Sequence, residues 1–315
     1  MKIAITGASG FIGRHVVAAA VAQGFQVLAI VRSTPLSEWG GDPHIETQCF
    51  DLSVDEKQNL DNLAGAFEGC DVVIHLAAVM QGPNQFHDTM HATKNVLRAM
   101  DVAGVKKFVA LSSISILDYP RCNANAQVDE TCAANALDKE LGPYAYMKRA
   151  QEAMCRRWQS REDETNKLVV LRPGLVFDEN NLSDAHVGFK FLASLHVGEV
   201  PVVSVQGVAR ACVAAAVTEA AEGETVHLLN DKLPKQAEYI SALQSKGVLA
   251  KRIGVPWGLY NVITTVLRMP LSFIGKVPDG LRKNSVHARQ KPLRFSNEKA
   301  KKLLGWQPSV SLNTH

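Results

Sequence analysis

Lys2-Ile3-Ala4-Ile5-Thr6-Gly7-Ala8-Ser9-Gly10-Phe11-Ile12-Gly13 opens the chain, and its order of residue types decides what the following elements must be. Lys2 to Thr6 is a short β-branched run with the composition of a buried strand. It breaks into a loop with glycines at 7, 10 and 13. A periodic apolar stretch from Phe11 to about Ala22 then predicts a helix, with Gly24 at its stop. Strand, glycine loop and helix are the context in which backbone can cradle a pyrophosphate. Gly7 permits the tight turn, Gly10 lets phosphate approach the backbone, and Gly13 lets helix and strand pack closely. Ser9, Phe11 and Ile12 complete the loop. The helix N-terminus adds free N–H groups and a positive dipole end. A plain glycine-rich turn would match the spacing but needs no such flanking elements.

The second strand, Gln26 to Val31, ends at Arg32. An acid at this point of a dinucleotide fold would hold the ribose 2′-OH of NAD. Arg32, followed by Ser33 and Thr34, instead suits a 2′-phosphate, so NADP is expected over NAD, with Arg14 able to assist. The competing reading is a solvated strand-end charge. A third strand, Ile45 to Phe50, runs into Asp51-Leu52, where Asp51 could meet an adenine amino group or cap the next loop. The fourth strand, Asp71 onward, carries His75, read as a satisfied core histidine. It passes into Leu76-Ala77-Ala78, small enough for a cofactor to lie along the backbone. After a helix from about Asp88 to Ala103, Lys107 to Leu111 forms the fifth strand and closes on Ser112-Ser113. Carboxyl ends of parallel strands carry the site, which places the Ser113 hydroxyl there.

Pro143-Tyr144-Ala145-Tyr146-Met147-Lys148 begins a further helix, with Pro143 at its first position. Tyr144 and Lys148 stand four apart and so share a face. An ammonium beside a phenol favours phenolate and is expected to lower its pKa. That pair is a proton-transfer device suited to acid–base catalysis.

Composition removes several function classes. The chain of 315 residues carries a formal net charge of only +3, spread without a basic footprint, which excludes nucleic acid as the expected partner. Its six cysteines form no C-x-x-C pair and no metal-ligand spacing, so no metal is expected. Scattered thiols without a secretory leader predict reduced cysteines and a cytoplasmic location. No apolar run reaches a membrane span.

With these pieces in place, the chain resembles the extended short-chain dehydrogenase/reductase family, also called the NAD-dependent epimerase/dehydratase family. The resemblance rests on Thr6 to Gly13, Asp51-Leu52, His75-Leu76-Ala77-Ala78, Leu111-Ser112-Ser113, Tyr144-x-x-x-Lys148 and Leu171-Arg172-Pro173-Gly174. Phe295 to Ala300 and Leu303 to Pro308 match the family's closing helix. It implies Tyr144 as acid/base, Lys148 as the ligand of the nicotinamide ribose that lowers the Tyr pKa, and Ser113 as the holder of the reacting oxygen. Pro173 joins the cofactor contacts. It also implies a homodimer formed by helices near 88–103 and 143–160. Two departures stand out. Thr89-Met90-His91-Ala92-Thr93 lacks an expected cofactor-side Asn, and Val205-Gln206-Gly207-Val208-Ala209 lacks the usual acid.

The expected fold is α/β: a doubly wound, Rossmann-type, mostly parallel sheet with a smaller C-terminal substrate-binding lobe. Residues 1–172 would form the dinucleotide-binding domain and 173–315 mainly the lobe, with some segments returning to the sheet. Residues 255–275 are the most apolar long stretch, read as a helix walling a greasy substrate cleft, or as a membrane contact through Trp257 and Tyr260. A basic stretch follows, with Arg282, Arg289 and Arg294 able to face an anion, as could Asn180 and Asn181. The expected activity is hydride exchange between NADP and a carbonyl or alcohol carbon of a small hydrophobic substrate. A nucleotide-sugar epimerase or dehydratase and a non-catalytic sensor are the alternatives.

Overall fold

Strands apolar on every residue have two faces to bury, and this chain supplies helices for both. The structure is a computed structural model describing residues 1–34, 36–80, 82–137, 140–161, 165–178, 192–194, 198–247 and 253–308. Asn180 and Asn181 lie outside the described residues. The first half runs β1 (Lys2–Thr6), α1 (Gly13–Val21), β2 (Gln26–Val31), β3 (Ile45–Cys49), α2 (Lys57–Phe67), β4 (Val72–His75), α3 (Gln85–Ala103), β5 (Lys107–Leu111), β6 (Gln127–Val128) and α4 (Pro143–Gln159). Then come β7 (Lys167–Pro173), β8 (Leu175–Phe177), β9 (Leu192–Ser194), β10 (Val202–Ser204), α5 (Val205–Val217) and β11 (Thr225–Leu228). The chain closes with α6 (Gln236–Ser245), β12 (Ile253–Val255), α7 (Trp257–Phe273), α8 (Lys283–Gln290), β13 (Arg294–Phe295) and α9 (Glu298–Leu304).

Seven strands form one sheet in the order β11-β7-β5-β4-β1-β2-β3. Every pairing in it is parallel. The order reverses beside β1, which is the doubly wound topology and leaves a crevice at the strands' carboxyl ends. Alternate residues feed opposite layers. Ile3, Ile5, Val27, Ala29, Val109 and Val169 pack with α1, α5 and α9. Ala4, Leu28, Val73, Phe108 and Leu168 pack with α2, α3 and α4. Both faces covered explains why the strands read as unbroken apolar runs.

Segments after Pro173 are divided between the sheet and a second assembly. β11 joins β7, while Phe177, Val202, Tyr239 and Leu243 form a separate cluster. Another cluster mixes the two halves: Ile114, Leu117, Tyr119 and Val128 pack with Leu229 and Leu293, and β6 pairs with β13. Lys291 pins this region by donating to the carbonyls of Tyr119, Pro120 and Cys122.

The departure near residue 207 has a structural answer. Ser204 caps α5, its Oγ accepting from the Gly207 N–H at 3.1 Å. The Trp306 indole N–H donates to the Gly207 carbonyl at 2.8 Å. A Cβ on Gly207 would stand 3.0 Å from that Oγ and 3.4 Å from the Trp306 ring. A side chain here would have to push the Ser204 cap and the Trp306 ring aside by a few tenths of an ångström.

Candidate active site

The glycine loop sits where β1 delivers it, against the end of β4. Gly7 adopts φ 67°, and a Cβ there would stand 2.9 Å from the Ala77 amide nitrogen. At Gly13 a Cβ would come within 2.1 Å of the Gly7 carbonyl oxygen, so only glycine lets α1 start this close to β1. Gly10 donates to the Gly7 carbonyl at 3.0 Å and closes the turn. Ser9 and Gly10 are exposed, while Phe11 and Ile12 are half-buried. The N–H groups of Arg14, His15 and Val16 donate back to the carbonyls of Gly10 and Ile12, so the donors offered to a ligand are those of the loop ahead of them. The cradle therefore fits a pyrophosphate group in shape and in donor chemistry.

The flanking candidates ring the same strand ends. Arg32 is exposed just after β2. Asp51 accepts from both the Ser53 hydroxyl at 2.6 Å and the Ser53 N–H at 3.0 Å. Those bonds, with help from Arg32, hold its carboxyl below the ordinary range against some burial. Asp51 is thus a loop cap in this structure. Leu52 is buried, and its carbonyl accepts from the Asn95 amide at 3.0 Å. Leu76, Ala77 and Ala78 line the end of β4, half-buried, and Pro173 is buried at the end of β7. Thr89, standing in the stretch that lacks Asn, is fully buried, and its hydroxyl accepts from the Val79 N–H at 3.0 Å.

The end of β5 and one face of α4 are stitched residue by residue. The Lys148 ammonium donates to the Leu111 carbonyl at 2.9 Å. The Ser112 hydroxyl donates to Glu152 at 2.7 Å. Ser113 is buried, its Oγ accepts from the Ser115 N–H at 3.1 Å, and it stands close enough to the Tyr144 hydroxyl to favour phenolate. Residues 144, 148 and 152 share a face by helical spacing, so three successive strand-end residues meet three successive turns. Lys148 thus reaches the end of β5 two residues before Ser113, and Tyr144 stands one turn earlier on the same face of α4. Tyr146 points elsewhere and packs on Phe86 at 5.5 Å.

The expected depression of the phenol does not occur in this arrangement. Burial raises the Tyr144 pKa, and the Ser113 hydrogen bond offsets only part of it. The residue as a whole is 38 % exposed, so solvent limits how far burial moves it. Lys148 spends its donors on Leu111 and on the Gln151 carbonyl oxygen at 3.0 Å. Burial brings its own pKa down to about 8.

Two partners escaped the sequence. Glu152 is 2 % exposed and takes a bidentate pair from Arg172, at 2.7 and 3.0 Å, and another from Arg156, at 2.9 and 3.0 Å. Burial opposes its ionisation, yet Arg172, Ser112 and Arg156 outweigh it and hold the carboxyl at about 2. Gln151 joins Lys148 to a buried chain, its amide donating to Thr93 Oγ1 at 3.0 Å. Thr93 gives its own proton to the Thr89 carbonyl, so it must accept from His75 Nε2 at 3.0 Å. His75 Nδ1 then accepts from Thr6 at 2.8 Å. His75 is the satisfied core histidine expected, held neutral by burial with a pKa of about 3. The i+4 step from Lys148 could have flagged Glu152; nothing local flags Gln151.

The apolar stretch 255–275 is oriented against expectation. Asn261, Thr264, Thr265 and Arg268 of α7 face inward and, with Pro120, Lys283 and His287, line a cavity of about 290 Å³. Leu281 and Val286 share this wall with the polar side chains, while Leu259, Val262, Val266 and Phe273 of α7 are exposed. Tyr260 is 1 % exposed and stacks on Trp257, so it offers nothing to an outer surface. Of the basic stretch, Arg289 is paired with Asp279 at 2.9 Å, and Arg294 lies in the strand pairing of β13 with β6. Among the described residues no cluster fit for a metal occurs.

A doubly wound parallel sheet, a glycine cradle and a Tyr-Lys helix over the strand ends define a Rossmann-type, dinucleotide-fold protein. The sequence profile of the NAD dependent epimerase/dehydratase family matches residues 3–225, and the chain belongs to that family. It is 30 % identical over 181 residues to cinnamoyl-CoA reductase 1 of Petunia hybrida, covering 55 % of this chain and 54 % of that protein. It is 26 % identical over 199 residues to the decarboxylating sterol-4-alpha-carboxylate 3-dehydrogenase of Dictyostelium discoideum, covering 59 % and 57 %. The chain thus spans little more than half the length of these curated relatives. The fold is also that of UDP-glucuronic acid 4-epimerase from Bacillus cereus in complex with NAD, with a TM-score of 0.67, 19 % identity and coverage of 99 % and 95 %.

Proposed function

We propose that the protein is an NADP-dependent oxidoreductase acting on a carbonyl or alcohol carbon of a small molecule. The observation that carries this reading is the stitched face of α4, which sets Tyr144 on Ser113 and buries Lys148 beside it. Family membership and the reductase and dehydrogenase relatives support it. The dinucleotide would lie on the loop Gly7 to Gly13, along Leu76-Ala77-Ala78 and against Pro173, with Arg32 at a 2′-phosphate. When bound there it supplies or takes up hydride at C4 of its nicotinamide. Ser113 holds the reacting oxygen, and Tyr144 gives it a proton or removes one. Lys148, fixed by Leu111 and Gln151, binds the nicotinamide ribose. A phenol raised by burial stays protonated through neutral pH, which suits proton donation to a developing alkoxide and favours the reducing direction.

Much of the apolar surface of α7 is exposed, and the cavity beside the helix mixes Leu281 and Val286 with polar residues, which weakens the support for a hydrophobic substrate. Arg268 and Lys283 at this cavity favour a substrate with an anionic group, with Arg268 also paired to Glu140 at 3.5 Å. The same cations favour a second reading, a nucleotide-sugar epimerase or dehydratase, as in the UDP-glucuronic acid epimerase of like fold. NADPH deuterated at C4 separates the two. An oxidoreductase consumes it and places deuterium on the carbinol carbon of its product. An epimerase inverts a nucleotide sugar with no net consumption, and that outcome would replace the first reading.

A further inference from the structure

Helix α7 is built inside out. A surface helix ordinarily turns its apolar side to the core and its polar side to water. Here Leu259, Val262, Val266, Leu267, Met269 and Phe273 share the outer side, between 45 % and 87 % exposed. Ile253 and Ile274, 68 % and 65 % exposed, prolong that strip at both ends. The opposite side carries Asn261, Thr264, Thr265 and Arg268, which close over the cavity. A continuous apolar strip of this length on a surface marks a contact site.

Charge around the strip selects the occupant. The helix, WGLYNVITTVLRMPLSF, contains no acidic residue. Lys276 is exposed just beyond Phe273, and Lys283 is exposed on the cavity rim. Neither makes an ion pair among the described residues. The nearby acids are engaged, Glu140 with Arg268 at 3.5 Å and Asp279 with Arg289 at 2.9 Å. A second copy pairing through α7 would set this cationic rim against itself. A surface of anionic headgroups over acyl chains complements both the strip and the rim. At 17 residues with Pro270 inside it, the helix is suited to lying in an interface and is not long enough to cross one.

We propose that α7 docks the protein on an anionic lipid surface, with Leu259, Val262, Val266 and Phe273 among the outer acyl chains and Lys276 and Lys283 against headgroups. This docking requires nothing of the chemistry at Tyr144. The full chain is floated in a density gradient with vesicles of phosphatidylcholine alone or mixed with phosphatidylglycerol. It should float with the anionic vesicles, be released by salt, and stay behind with the neutral ones. Val262→Gln/Val266→Gln/Phe273→Gln should abolish flotation with an unchanged melting temperature, since these side chains are already exposed. Lys276→Glu/Lys283→Glu, which leaves the strip intact, should weaken binding more than about tenfold. Absence of flotation, equal flotation with neutral vesicles, or flotation that survives these substitutions would overturn the proposal. So would a dimer in sedimentation equilibrium that the triple variant dissolves, since a second copy would then be the occupant.

Discussion

At the scale of single residues, Arg32 and Tyr144 carry the two chemical choices in the proposed function. Arg32 is exposed after β2, beside Asp51, whose carboxylate accepts from Ser53; the proposed function sets its guanidinium against a 2′-phosphate. Arg32→Ala should weaken NADPH by about 1.5–3 kcal/mol, the range of a hydrogen bond to a charged group, and barely move NADH. Fluorescence titration of both cofactors checks it, and equal native affinity for the two would contradict it. Tyr144 has its pKa raised by burial, so its proton is retained through neutral pH. The pH profile of carbonyl reduction should therefore be flat near neutrality and fall only on the alkaline side, while alcohol oxidation rises there. This direction was not legible in the sequence. Tyr-x-x-x-Lys spacing shows that two side chains share a helix face, but it does not show that Lys148 is occupied by Leu111 and Gln151.

At the scale of elements, β1, β2, β4 and β5 were readable because burial on both faces makes their runs apolar throughout. α4 was readable from Pro143 and the helix formers after it. The two- and three-residue strands β6, β8, β9, β10, β12 and β13 were not, since each is defined by a partner far along the chain. α7 was legible as a helix stretch, but not which of its residues face water. Apolar content says that a face needs an apolar contact and does not say which side of the helix meets the protein. The outer surfaces of α3 and α4 suit the dimer that the family resemblance implies, with Phe86 and Tyr146 exposed to 41 % and 37 % and their rings packed at a 40° tilt. Sedimentation at high micromolar concentration should find a dimer that Phe86→Glu disrupts, and a native monomer would contradict it.

At the scale of the whole molecule, buried titratable groups tie the fold to pH. Burial holds His75 and His227 at about 3, far below the ordinary histidine value of 6.5. A histidine lowered by folding is uncharged in the folded state while the unfolded chain takes up a proton. Its stabilisation is full above pH 6.5 and is lost as pH falls toward 3. Glu152, held at about 2 against an ordinary 4.5, adds a second loss between those values. Denaturant titration should find unfolding free energy lower at pH 5 than at pH 7 by on the order of 4 kcal/mol, from about 1.5 pH units at each of two histidines. A flat profile between pH 5 and 7 would contradict the burial of these histidines.

The account turns on Tyr144 as the group that moves the substrate's proton, and the most direct measurement compares the native protein with Tyr144→Phe. NADPH consumption is followed against aldehydes, ketones, CoA thioesters and nucleotide sugars, with NADPH affinity measured on both proteins. Losing one hydroxyl while keeping the ring should leave affinity unchanged, and turnover should fall by roughly 10²–10⁴-fold, the usual contribution of a positioned acid. A Tyr144→Phe protein that turns over as fast as the native one would contradict the assignment.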